Sequence, residues 1–208
     1  MNKEKSKEIV DILKEIITNP APELDFKNPF ELIIAVVLSA QTTDKRVNIV
    51  TKELFLKYPD AKSLSMADYD TIYNIITPLG LAKTKAKNII ALAKTLDEKY
   101  LGIVPNDFES LVELPGVGRK TASVVLAVGF NIPAMPVDTH LYRMAKRLGY
   151  IKEDEDILKA EEVYKKYIPK NEWANAHHLF LLFGRYHCTA KNPLCKDCKL
   201  KIYCKYKG

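Results

Sequence analysis

No stretch of this 208-residue chain is apolar enough to cross a bilayer; the strongest run, Leu32 to Leu38, falls far short of a spanning helix. No export signal is visible either, so a cytoplasmic protein is expected. No cysteine occurs before Cys188. An isolated late group of four, in a chain without an export signal, reads as a metal site before it reads as disulfides. No strand-like alternation and no internal repeat is visible, which leaves an all-α fold. Disorder is excluded by a composition of 47% hydrophobic and 28% charged residues. The length suits one large domain or two small ones. What is in excess is positive charge: the formal net charge is +6 and the pI about 9.0, which favours a polyanionic partner.

The most informative stretch runs from Pro105 to Arg147 and centres on Leu114-Pro115-Gly116-Val117-Gly118-Arg119-Lys120-Thr121-Ala122. Asn106 can cap a short helix carrying Phe108, Leu111 and Val112, with Glu109 in its first turn. Pro115 and Gly116 stop that helix, and the Gly-Val-Gly turn needs backbone freedom that side chains would block. A second helix starts near Arg119. Two short helices around a glycine hairpin present backbone N–H groups at a helix N-terminus, which suits a phosphate. Lys120 falls in the first turn of that second helix. The dipole disfavours a cation there, which pushes a lysine that is not simply solvated toward its neutral, nucleophilic form. Further on, Asp138 precedes the amphipathic pattern of His140, Leu141, Arg143, Lys146 and Arg147, where an N-cap belongs.

Elsewhere the pattern is of helices and short breaks. Residues 3–18 are amphipathic, with Ile9, Ile12, Leu13, Ile16 and Ile17 at helical spacing. Asn28-Pro29 opens a helix that is apolar all round and therefore central. Thr43 can cap the next one. Ser65-Met66-Ala67-Asp68 looks like the start of another, and Thr77-Pro78-Leu79-Gly80-Leu81 is a turn. Lys83, Lys85, Lys87 and Lys94 then mark a helix with a solvated face. His177 and His178 read as satisfied structural histidines on the last long helix. That helix leads into Cys188-x6-Cys195-x2-Cys198-x5-Cys204, a set of thiolates suited to a soft metal centre. Spacing alone does not separate zinc from a [4Fe–4S] cluster. Residues 188–208 hold six lysines (191, 196, 199, 201, 205 and 207) against Asp197, so a phosphate backbone is a natural partner for the loop around Lys191.

Taken together, Leu114 to Ala122, Val137-Asp138-Thr139-His140, Leu38-Ser39-Ala40-Gln41-Thr42-Thr43-Asp44 and the four cysteines resemble the helix-hairpin-helix DNA glycosylases, most closely the endonuclease III family. The likeness covers nearly the whole chain. It implies a two-lobed all-α fold: residues 22–132 with the hairpin at about 107–130, and residues 1–21 plus 133–208 carrying the cysteine loop. It implies a bifunctional DNA glycosylase and AP lyase with Lys120 and Asp138 catalytic, placed in the cleft between the lobes. Substrates would be oxidised pyrimidines and abasic sites in duplex DNA. Gln41 and Leu81 would fill the gap left by a flipped nucleotide, and Gly116, Gly118 and Lys191 would hold the backbone. Ser39, Asp44 and His140 would border the base pocket, and Cys188, Cys195, Cys198 and Cys204 would bind [4Fe–4S].

In adenine-removing relatives a serine replaces the lysine and a glutamate stands where this chain has Val36. Lys120 and Val36 thus argue for the pyrimidine-directed branch. A mismatch-directed glycosylase and a non-catalytic DNA-binding iron–sulfur protein are the alternatives. A monomer associated with the nucleoid is expected.

Overall fold

A computed structural model describes residues 1–206, so Lys207 lies outside the described residues. The helices in chain order are α1 (Lys3–Ile16), α2 (Pro29–Leu38), α3 (Asp44–Lys57), α4 (Ala61–Ser65), α5 (Tyr69–Ile76), α6 (Ala82–Tyr100), α7 (Phe108–Val112), α8 (Arg119–Val124), α9 (Thr139–Arg147), α10 (Ile157–Tyr167) and α11 (Trp173–Tyr186). There is no strand among the described residues, and none of these helices is long and apolar enough to span a membrane. The chain divides into two compact units, Pro22–Ile132 and a discontinuous one made of Met1–Ala21 with Pro133–Gly208.

In the continuous unit, α2 is the centre. Asn28 caps it through a hydrogen bond from Glu31 N, Pro29 stands in its first turn, and every residue from Phe30 to Leu38 is buried. Burying each of its Phe, Leu, Ile and Val side chains contributes about 1.5–3 kcal/mol. Leu32 and Val36 meet Val124 of α8. Beyond Val124 the helix loosens into a π-helical stretch, Val125–Gly129. A Cβ at Gly129 would come within 3.0 Å of Leu32 Cδ2, so the small residue lets the two segments close up.

Two local readings need correction. Asp107, not Asn106, caps α7, accepting from Ser110 N at 2.8 Å. The two residues are adjacent and chemically equivalent as caps, so only the backbone register decides. Ser65 ends a helix instead of starting one: α4 is a five-residue helix opened by a capping box between Asp60 and Ser63. Asp68 is the cap of α5, bonding Thr71 N at 2.8 Å.

The discontinuous unit has its own core. Ile9, Val10 and Leu13 of α1 join Leu141, Met144 and Ala145 of α9, Tyr164 of α10, and Leu179, Phe180 and Phe183 of α11. The apolar stripe of α1 thus finds its partners in residues far along the chain. Tyr164 is fully buried, yet its hydroxyl donates to Leu141 O at 3.0 Å, which removes the penalty of an unsatisfied polar group. His177 is the satisfied histidine expected, with Nδ1 2.8 Å from Pro136 O. His178 is not: its Nδ1 is buried without a hydrogen-bond partner, and burial lowers its pKa, so the neutral ring is favoured.

Candidate functional site

Most helices here start on a polar side chain. Asn2, Asn28, Thr43, Asp60, Asp68, Asp107, Asp138 and Asp156 each accept a first-turn amide. The starts of α6, α8 and α11 have no such cap. The first two lie beside Leu81 and in the glycine hairpin.

The hairpin is closed by backbone bonds from Leu114 N to Leu111 O (3.2 Å) and Val117 N to Leu114 O (3.0 Å), while Val117 is buried beneath it. Gly116 sits at φ +77°, and a Cβ there would meet Asn88 of α6 at 3.0 Å. Both facts require glycine. Gly118 is different: its backbone is ordinary extended (φ −94°, ψ 176°) and a Cβ would touch nothing. The need for backbone freedom therefore holds at Gly116 and not at Gly118, where the missing side chain leaves open space in front of the α8 N-terminus. Arg119 stacks its guanidinium over Phe108 at 5.0 Å, tying α8 back to α7. Lys120 follows in the first turn and is exposed.

The link from α2 to α3 carries the next group. Ser39 ends α2 and donates its hydroxyl to Val36 O at 2.8 Å. Asp44 is the first residue of α3, behind the Thr43 cap. Between them Gln41 is exposed at φ +56°, and Leu81, 55% exposed, sits at φ +52°. Left-handed backbone is unfavourable for both residue types and persists where surrounding structure enforces it, commonly at functional positions. Its exposure shows that Leu81 is not a core leucine.

In the discontinuous unit, Asp138 caps α9 with one oxygen: Oδ1 accepts from His140 N (2.8 Å) and Leu141 N (2.9 Å). Its other oxygen makes no hydrogen bond among the described residues, so the carboxylate is held by one side and open on the other. His140 is half-buried, with Nδ1 3.1 Å from Arg143 Nη2. An arginine donates only, so Nδ1 accepts and the neutral ring carries its proton on Nε2. Arg143 continues to Gly184 O (2.6 Å) and Cys188 O (3.0 Å).

Cys188, Cys195, Cys198 and Cys204 are free thiols, all half-buried, and Cys188, Cys198 and Cys204 border the core of their unit. The Cys198 thiol is pushed up by burial, against a hydrogen bond from the Leu200 backbone, and further by Cys188, Cys204 and Cys195, so Cys198 lies within electrostatic reach of the other three. Arg147 Nη1 reaches Cys188 Sγ at 3.3 Å and Thr189 O at 2.8 Å, and its guanidinium lies 4.1 Å over the Tyr206 ring. Among the described residues no three cysteine, histidine or carboxylate side chains are grouped to hold a single metal ion. Lys191 is exposed in the loop between the first two cysteines. Arg143 and Arg147 are the structural anchors that sequence reading left unassigned; their spacing of four on one helix face is the signal that was available.

Residues 34–170 match the model of the HhH-GPD superfamily base excision DNA repair proteins. The chain is 44% identical to endonuclease III of Bacillus subtilis over 196 residues, covering 94% of this chain and 90% of that one. It is 45% identical to endonuclease III of Rickettsia conorii over 199 residues, covering 95% and 94%. It superposes with a TM-score of 0.95 on a trapped covalent intermediate of an endonuclease III with DNA, at 44% identity over 99% of this chain and 96% of the other.

Proposed function

This chain belongs to the endonuclease III family of the HhH-GPD superfamily, and from that premise we propose how its residues divide the work. It is a bifunctional DNA glycosylase and AP lyase of base excision repair, acting on duplex DNA. Oxidised pyrimidines are the proposed bases, and the nucleoid the proposed place of action.

Lys120 is the proposed nucleophile. Its neutral amine attacks C1′ of the damaged nucleotide, the C1′–N bond breaks, and the base departs with a proton. Opening of the sugar gives an imine between Lys120 Nζ and C1′. Loss of a C2′ proton then expels the 3′ phosphate, with the iminium as electron sink, and water releases the enzyme. An amine is required because it must both displace the base and form the iminium. Asp138, fixed through Oδ1 and open at its second oxygen, stabilises positive character at C1′ and assists proton transfer. Ser39, Asp44 and His140 border the flipped base. Gln41 and Leu81 fill the gap it leaves.

Gly116 and Gly118 hold a phosphate at the uncapped start of α8, where amide donors and the helix dipole favour an anion. The open space at Gly118 lets the backbone of DNA approach. Cys188, Cys195, Cys198 and Cys204 would hold a [4Fe–4S] cluster; three thiols within electrostatic reach of Cys198, with an arginine against the Cys188 sulfur, suit such a group. Its contribution when bound is to fix the loop that carries Lys191.

The observation that carries the reading is an exposed lysine in the first turn of α8, in a fold that matches a covalently trapped relative. Borohydride reduction during turnover of oligonucleotides bearing thymine glycol, dihydrouracil or an abasic site is expected to leave a protein–DNA adduct at Lys120. An adduct on another residue would refute the assignment. Lys191→Ala tests the backbone contact: affinity for all duplexes is expected to fall together, and the slope of log K against log salt to drop by about one unit. A loss confined to damaged duplex would move Lys191 out of that role.

A further inference from the structure

Leu81 stands where a helix should be easy to start, in a conformation that leucine avoids. Its φ of 52° and ψ of 25° are left-handed, it occupies the N-cap of α6 without a side-chain cap, and it is 55% exposed. Something must hold it there. Gly80 N bonds Thr77 O at 3.3 Å, closing the preceding 3₁₀ turn (Thr77–Leu79). The larger restraint comes from α6 itself. Lys85 N bonds Leu81 O at 3.0 Å, and Lys85 Nζ donates to Leu79 O at 3.1 Å. One residue thus ties down carbonyls on both sides of the Gly80–Leu81 peptide.

Lys85 is an odd choice for that purpose. It is only 4% exposed, no carboxylate pairs with it among the described residues, and burial lowers its pKa. Its sequence neighbours Lys83 and Lys87 are exposed, so the solvated-face expectation holds for them and fails for Lys85. A buried ammonium with one acceptor is costly, and an apolar residue of similar volume would fill the space without that cost. What the ammonium adds is direction. It meets the carbonyl end of a 3₁₀ turn, where a cation is favoured, and fixes the position of Leu79. Three residues on, Asn88 lies against Gly116 of the hairpin. Lys85 and Asn88 share one face of α6, so that helix sets the Leu81 turn and the phosphate-binding hairpin relative to each other.

We infer that Lys85 is a positioning residue for base extrusion, holding the Leu79–Leu81 turn so that Leu81 is presented ready for insertion into the duplex. This rests on the reading of Leu81 as the gap-filling side chain. A preformed wedge matters most where a base must be unpaired and unstacked, and least where the base is already gone.

The test is a double-mutant cycle with Lys85→Met and Leu81→Ala, read as the ratio of single-turnover excision from a paired thymine glycol duplex to cleavage of a preformed abasic site. Each single variant is expected to lower that ratio about tenfold, as expected for losing one hydrogen bond to a charged group or its consequence. The double variant should match Leu81→Ala within about twofold, because without the wedge there is nothing left to position. Lys85→Arg, which keeps a charged donor, should recover most of the ratio. General loss of folded protein would lower both rates together and leave the ratio alone. If Leu81→Ala leaves the ratio unchanged, the wedge reading itself fails and this inference with it. If Leu81→Ala lowers the ratio but Lys85→Met does not, or if the two effects multiply, only the role of Lys85 is overturned. Failure of Lys85→Met to fold would make Lys85 a folding residue and would also overturn it.

Discussion

Lys120→Gln is expected to abolish borohydride trapping and to reduce strand cleavage by on the order of a thousandfold or more, while DNA affinity changes by no more than about twofold to threefold. The asymmetry follows from what the side chain does. Glutamine keeps the length of the stem but has no basic nitrogen, so neither C1′ attack nor the iminium is available. Phosphate binding in the proposed scheme falls to backbone amides at the α8 start and to the lysines of the cysteine loop, which the substitution leaves in place. Because Lys120 is exposed in the first turn of α8, replacing it should also shift the melting temperature little. Trapping assays, nicking assays and binding isotherms on one protein preparation check all three. Full lyase activity in Lys120→Gln would remove lysine chemistry from the mechanism.

The second large effect concerns the cysteines. Protein prepared without oxygen is expected to be yellow-brown, with broad absorption near ~400 nm and about four irons per chain. Residues 188–206 are tied down mainly by polar contacts, among them those of Arg143 and Arg147 with Cys188 and Thr189, and have little apolar core of their own. Leu200 is their one buried apolar side chain, and their only regular structure is the 3₁₀ turn Lys201–Tyr203. A segment with so small a core gains from a cross-link, which the proposed cluster would make through four thiolates. Cys198→Ala should therefore lose the iron and expose the loop to proteolysis. It should also lower the stability of the α1–α9–α10–α11 unit, because Cys188, Cys198 and Cys204 pack against that core. DNA affinity should fall with it, since the lysines of the loop would no longer be held together. Stoichiometric zinc with no iron in such a preparation would refute the cluster.

Much of the fold was legible because its signals are local. Asn28-Pro29, Thr43 and Asp138 cap their helices as their positions imply, and the all-round apolar run of α2 is buried throughout. The errors have separate physical causes. Where two capping residues are adjacent, as at Asn106 and Asp107, composition gives the neighbourhood and the backbone chooses the residue. Helix α4, at five residues, is too short for any periodic pattern to announce it. The proposed site residues Lys120 and Asp138 rest on motif order, which a sequence displays directly. Lys85 was misread because a lysine among lysines looks solvated, and only its contact with Leu79 O shows otherwise. The left-handed conformations of Gln41 and Leu81 were equally hidden, since neither residue type advertises them.

The division of α1 from its packing partners has a consequence for synthesis. When the ribosome has made α1, the residues that cover Ile9, Val10 and Leu13 do not yet exist. All of Pro22–Ile132 comes first, a delay on the order of ten seconds at about 5–20 residues per second. During it the continuous unit can close while a greasy N-terminal segment remains unsheltered. The nascent chain therefore offers chaperones, or a neighbouring nascent chain, an early apolar handle that the finished enzyme conceals. Slowing translation between Ala21 and Pro133 would lengthen that exposure without changing a single residue of the product.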